Sequence, residues 1–193
     1  MPTRRRPVAR DAAIGLAVSV GLALSLALVG CSPDAAVPTP PEPTTEPIFA
    51  SDEEALAAAE QAYAAYVSVS DQVMTAGAAD IEPLRSVVSP RFYETEVPSL
   101  EEFHAAGYRT TGTTKVRDVR LQQFNPDSTT DVVVIYLCSD VSAVDVLDKD
   151  GRSVVGPERP NETSFEIGFD VTSDAPPEIA VAWREPWQGT ATC

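Results

Sequence analysis

The spacing of apolar residues changes character twice along the chain. Residues 12–30 form an uncharged, almost wholly apolar run. Further on, Leu56, Ala59, Tyr63, Tyr66, Val67, Val73 and Met74 recur at three- and four-residue intervals, which predicts one apolar face of a helix over 51–76. Ser51 followed by Glu54 is a capping box that would open this helix, and Gly77 would close it. A second, short helix fits 80–88, with Pro83 in its first turn. Ser89-Pro90 starts another turn carrying Phe92 and Tyr93, and Ser99 with Glu102 forms a second capping box for a helix ending near Gly107.

After Gly107 the period becomes two, and strands are expected over 110–124, 130–139, 163–172 and 179–187. The segment 130–139 is apolar on both faces, as a central strand requires. In 163–172, Phe165, Ile167, Phe169 and Val171 alternate inward while Glu166 and Asp170 point out. Ile179, Val181, Trp183 and Trp187 are expected to share one side of the last strand. In the first strand Val116 is out of step with Val119 and Leu121, and a bulge near Arg117 would absorb the slip and bend the sheet. Polar, Pro- and Gly-containing turns punctuate the pattern near 125–127, 148–151 and 173–177.

Charge narrows the range of functions. The 193 residues carry a formal −15, which excludes nucleic-acid binding through neutralised phosphates. One His and three Cys leave too few ligands for a zinc site, and no cofactor motif is present. Asp145, Asp148 and Asp150 precede Gly151, but Val146 and Pro157 break the calcium-loop pattern, so a polar hairpin tip is expected there. Arg109, Lys115, Arg117 and Arg120 gather on the first strand, where they would neutralise neighbouring carboxylates.

The N-terminus combines Arg4-Arg5-Arg6 and Arg10 with the apolar run, the layout of a secretory signal over 1–30. It ends Leu28-Val29-Gly30-Cys31, which resembles the lipobox of bacterial lipoproteins. The resemblance implies that the Cys31 thiol takes a diacylglyceryl group and that cleavage occurs just before it. The expected product is anchored to the membrane through the lipid on Cys31, on the extracytoplasmic face of the cell membrane. Losing residues 1–30 removes a net +3 and leaves the mature chain at −18, which an anionic leaflet repels. Residues 31–50 hold six prolines after Cys31 and read as an extended tether, and 51–193 reads as a single domain. An excess of Arg over Lys, 12 to 2, suggests GC-rich coding and, with the lipobox, an actinobacterial source. Once Cys31 is lipidated, Cys138 and Cys193 remain as an even pair in an oxidising compartment, and a disulfide between them is expected.

The expected fold class is α+β, with N-terminal helices packed on a curved four-stranded antiparallel sheet. This order resembles the nuclear transport factor two-like fold, and small actinobacterial lipoproteins built on it, in which a Cys-bearing central strand followed by Asp precedes an Asp-Gly turn; here these are Cys138, Asp140 and Asp150-Gly151. The resemblance implies a cone, a cavity between helices and sheet, and homodimers paired through their sheets. Its enzymatic members place an Asp base and a Tyr or His donor among apolar walls. The residue types available are Asp140, His104, Tyr93, Tyr108 and Tyr136, and no spacing ties them into a motif. The leading expectation is therefore a non-catalytic domain that binds an envelope protein or a small apolar ligand. The alternative is a cone-fold isomerase or hydratase using Asp140, His104 and Tyr136.

Overall fold

The structure is a computed structural model that describes residues 47–174, 177–189 and 193. The expected signal, Cys31 and nearly all of the tether lie outside the described residues. Among the described residues no helix is long and apolar enough to cross a membrane.

Helix α1 spans Asp52–Thr75. Ser51 caps it, its Oγ accepting from the Glu54 amide at 3.2 Å, and the Glu54 carboxylate accepts in return from the Ala50 amide at 2.8 Å. Its buried face carries Ala55, Ala59, Tyr63 and Val73. The fold begins slightly before Ser51: Phe49 is buried and meets Phe124 at 6.0 Å between ring centroids. The expected helix over 80–88 is a shorter 3-10 turn, Glu82–Ser86.

Helix α2 spans Pro90–Ala105 as one element, not as a turn and a separate helix. Ser89 is its N-cap and Pro90 its first residue, while Ser99 is helical and caps nothing. The helix runs through Pro98, which costs an interior helix about 3 kcal/mol. Burial of Phe92, Tyr93 and Leu100 on both sides of Pro98 opposes that cost.

The strands are β1 (Arg109–Thr111), β2 (Lys115–Phe124), β3 (Val133–Asp140), β4 (Asp145–Leu147), β5 (Glu162–Asp174) and β6 (Pro177–Pro186). One antiparallel sheet has the order β2-β3-β5-β6, and β1 pairs with β4 in a separate two-stranded sheet. The chain is thus α+β, with helices preceding a four-stranded antiparallel sheet. β3 is central, and all its residues except Tyr136 and Asp140 are buried. The expected first strand breaks at Gly112, where φ is +82° and an added Cβ would lie 1.8 Å from the Ala143 carbonyl oxygen. Only glycine fits, so β1 and β2 diverge into different sheets. β4 is three residues long and sits in a turn-rich segment, too short to show a period.

Two further expectations fail in the C-terminal half. Asp170 is buried, with 8 % exposure, although it lies on the alternate side from Phe169. Trp183 does not share a side with Val181: Gly168 pairs with Trp183 and Phe169 with Val181, so the intervening Ala182 is an extra residue that turns the indole over. The ring lies across Gly168, where an added Cβ would come within 2.1 Å of it.

These residues form a network around Asp170. Its carboxylate accepts two bonds from Arg91, from Nε and Nη2, both at 2.7 Å, and one from the Asp131 amide at 3.0 Å. Asp131 in turn accepts from Arg91 and from the Trp183 indole N–H, each at 2.7 Å. The first turn of α2 is thereby fixed to β5, β6 and the approach to β3. The Ser89 amide also donates to the Val181 carbonyl at 2.8 Å, closing part of the exposed β6 edge.

The disulfide joins Cys138 to Cys193 as expected, with Cα atoms 5.0 Å apart. Trp187 and Cys193 both lie on the face of the sheet opposite the helices. The Trp187 amide donates to the Ser164 carbonyl at 2.8 Å, and the Trp187 ring lies 4.5 Å from that of Tyr136.

Burial pushes the Asp170 carboxyl up, but bonds from Arg91, the Asp131 amide and Ser89 outweigh it and hold the group below the usual carboxylate range. Its contribution is fully present above the unfolded value of about 3.9 and is lost as pH falls through the lower folded value. Asp170→Asn is expected to lower unfolding free energy by about 2 kcal/mol at neutral pH, with the difference from wild type shrinking in acid, as urea titrations at several pH values would read. Cys193→Ser, which opens a loop with a sequence separation of 55, is expected to cost about 4 kcal/mol in the same assay.

Candidate ligand groove

The site residues suggested by the sequence do not come together. Asp140, at the end of β3, accepts from the Ser142 amide at 2.8 Å and closes a turn. The Ser142 hydroxyl and amide hold its carboxyl below the usual range, the opposite of what a proton-abstracting carboxylate needs. His104 is exposed near the end of α2, with Nδ1 2.9 Å from the Gly77 carbonyl oxygen. Tyr136 stacks on Trp187 on the sheet face away from the helices, and burial raises its hydroxyl. Tyr93 is packed in the core with its hydroxyl donating to Glu82 at 3.2 Å, and Tyr108 meets Phe103 edge to face. None of these contacts joins one candidate to another.

The acidic hairpin likewise spends its carboxylates locally. Asp148 accepts from the amides of Asp150 and Arg152, both at 2.9 Å, and Asp145 accepts from Ser153 at 2.6 Å. Glu162 lies beside Cys138 and Cys193, but their sulfurs are joined to each other, so the three do not make a ligand set. Glu162 pairs instead with Arg117 at 2.7 Å, and Arg117 also pairs with Asp118.

The geometry favours a different place, the space between α1 and the edge strand β2. The expected bulge is there. Arg117 pairs with Cys138 and Arg120 with Tyr136, so β2 uses three steps where β3 uses two. The extra residue is Asp118, at φ +54°. The result is that Val116 and Val119, three apart in sequence, both face the helices. A second shift between Leu121 and Gln123 does the same for Leu121 and Phe124, which both pack on the core.

The bent strand leaves a groove of about 600 Å³ beside α1. Its floor is Val67, Val116, Val119 and Ile135, with Tyr63 as a wall and Glu60, Ser68, Asp71, Thr113 and Thr114 around it. Ile135 is fully buried beneath the floor, whereas Val67, Val116 and Val119 are only half-buried, so the groove presents apolar surface that the described residues leave uncovered. One pair of bonds sets its width: Asp71 of α1 accepts from the Thr114 amide and the Thr114 hydroxyl, each at 2.9 Å.

Behind the wall sits Arg184. Its Nε donates to the Tyr63 hydroxyl at 3.2 Å, and its guanidinium carbon lies 3.4 Å from the Phe165 ring centroid. Burial raises the Tyr63 hydroxyl and pushes that of Tyr66 up to about 12, with Arg184 opposing both shifts. Both phenols stay protonated at neutral pH. Glu96, facing the same guanidinium, is raised by burial, again against Arg184. The hydroxyl–carboxylate pair in the groove is Thr114 with Asp71, and that bond ties the strand to the helix. Asp71 is committed to Thr114, and Tyr63 is a neutral wall. The arrangement can hold an apolar body and contact a polar end.

Thr114→Val keeps the amide bond to Asp71 and removes the hydroxyl bond, and is expected to cost about 1 kcal/mol in urea unfolding; Asp71→Ala, which removes both, should cost about twice that. No family model matches the chain, and no curated protein matches it. Among solved structures it is similar to the solution structure of a de novo designed β-sheet protein, at 16% identity and a TM-score of 0.31, covering 72% of this chain and 92% of that one. A likeness that slight carries no argument about this chain.

Proposed function

We propose that this chain is an extracytoplasmic lipoprotein, held to the cell membrane by lipid on Cys31, whose folded domain is a non-catalytic binding module for a small apolar ligand. In this reading the α+β domain is a nuclear transport factor two-like cone with a reduced set of strands, and the α1–β2 groove is its mouth. The observation that carries the reading is the groove: about 600 Å³, the size of a small-molecule site, with half-buried valines on its floor. The lipobox-like Leu28-Val29-Gly30-Cys31 and the proline-rich segment after it support the anchoring half. The isomerase or hydratase alternative has less behind it, because Asp140, His104 and Tyr136 each have separate local partners.

The two halves are tested separately. Full-length protein should take up the neutral fluorophore N-phenyl-1-naphthylamine saturably, one per chain. Val119→Trp and Ala64→Trp, which fill the groove from strand and helix respectively, should each weaken uptake about tenfold while circular dichroism is unchanged. Uptake that ignores both substitutions, or no uptake, would count against the binding module. For the anchor, Cys31→Ser should move the protein from the membrane fraction to the soluble fraction of a bacterial host and abolish palmitate labelling. Retention at the membrane without label would refute lipidation.

A further inference from the structure

The groove does not stop at its apolar floor. A second hollow of about 470 Å³ continues along α1 and shares Ser68, Asp71 and Thr113 with the first. Asp71 thus lies where the two meet, about 16 Å of helix from Glu60 at the other end of the floor. The polar groups around Asp71 are engaged with one another. The Gln72 amide donates to the Ser68 carbonyl at 3.0 Å and to the Ser68 hydroxyl at 3.4 Å, and the hydroxyls of Thr75 and Thr110 lie 3.5 Å apart. What is left unbalanced there is charge.

From this imbalance we infer that the groove takes a single-chain hydrophobic amine, its ammonium against Asp71 and its tail over Val116 and Val119 toward Glu60. The inference rests on the binding reading above and specifies its ligand. Asp71 accepts from the amide and the hydroxyl of Thr114, both neutral, so its negative charge stays uncompensated, and each carboxylate oxygen keeps a lone pair for a further donor. Among the described residues no Lys or Arg lines either hollow, and none forms an ion pair with Asp71 or Glu60. Lys115 and Arg117 flank Val116 in β2 and alternate to its other face, where Arg117 pairs with Glu162. Arg184 lies behind the Tyr63 wall, its guanidinium against the Phe165 ring. Asp71 is half-buried beside the apolar floor, where a charge pair is screened less than on open surface. An anionic head would meet two carboxylates and no cation, and a neutral head would leave the Asp71 charge unanswered. A cation on an apolar tail is complementary to both the carboxylate and the floor.

The test uses the full chain and three probes with the same dodecyl tail, each below its micellar concentration: dodecyltrimethylammonium, dodecyl maltoside and dodecyl sulfate. Calorimetric titration should give the ammonium about tenfold tighter binding than the maltoside, with the sulfate weakest. Val119→Trp should weaken the ammonium, and Asp71→Asn should bring it down to the level of the maltoside. Thr113→Lys supports the same reading without touching the Asp71–Thr114 bonds: Thr113 is exposed and lines both hollows, so a lysine there should weaken the ammonium and strengthen the sulfate. Glu101→Gln, on the exposed side of α2 and outside both hollows, removes one negative charge from the chain as a whole and should change nothing. Equal binding of all three probes, a preference for maltoside or sulfate, an ammonium affinity untouched by Asp71→Asn and Thr113→Lys, or one that Glu101→Gln weakens as much would overturn the assignment. So would a dimer that Val119→Trp dissociates, since a second copy would then fill the groove. Naphthylamine uptake blocked by Val119→Trp alongside a failed charge preference would leave the binding module standing, whereas absent uptake would remove both.

Discussion

The one extra residue in β2 decides most of what this domain can do. A regular edge strand would lie flat against β3 and close on α1. Asp118, at φ +54°, lengthens β2 relative to β3 and bends it while Val116 and Val119 stay on the helix side. The Asp71–Thr114 bonds then fix the distance from helix to bent strand. A groove between two rigid elements follows, with an apolar floor that packing alone would have filled. Asp118 is a reasonable residue for the position: aspartate tolerates left-handed backbone better than most residues, and its carboxylate pairs with the neighbouring Arg117.

The opposite side of the molecule is built for constancy. Asp170 collects Arg91, the Asp131 amide and, through Asp131, Trp183, so α2 cannot shift without breaking charge-assisted bonds. The disulfide and the Trp187–Tyr136 contact hold Cys193 and Trp187 on the outer face of the central strands. Rings from Tyr63 through Tyr66 to Phe92, with centroids 5.5 and 6.1 Å apart, connect the groove wall to α2. The groove therefore has one wall fastened to a stiff network and the other at a bent edge strand.

What the sequence revealed followed how local each signal was. The Ser51 cap, the two-sided burial of β3 and the slip at Val116 are properties of neighbours in the chain, and each could be read directly. The disulfide needed only the expectation of export and the two cysteines left after Cys31. The Ser99 and Glu102 box misled because it is a local pattern for a helix start, and the long-range burial that carries α2 through Pro98 leaves no mark in sequence. Gly112 looked ordinary inside a strand-like run, since the close approach that demands glycine comes from Ala143, 31 residues further along the chain. Asp170 and Trp183 were placed by strict alternation, which the extra Ala182 defeats on β6 and a distant Arg91 overrides on β5. The groove was the least legible feature. Its valines read as core, and the Asp71–Thr114 tie joins residues 43 apart with no shared pattern.

The central claim is that the open apolar surface between α1 and β2 is a ligand site. Methyl-resolved NMR of the folded chain during titration with N-phenyl-1-naphthylamine tests it most directly. The account predicts shifts confined to the methyl groups of Val67, Val116, Val119 and Ile135. Shifts centred instead on the outer face around Val134, near Tyr136 and Trp187, or no shifts at saturating probe, would contradict it.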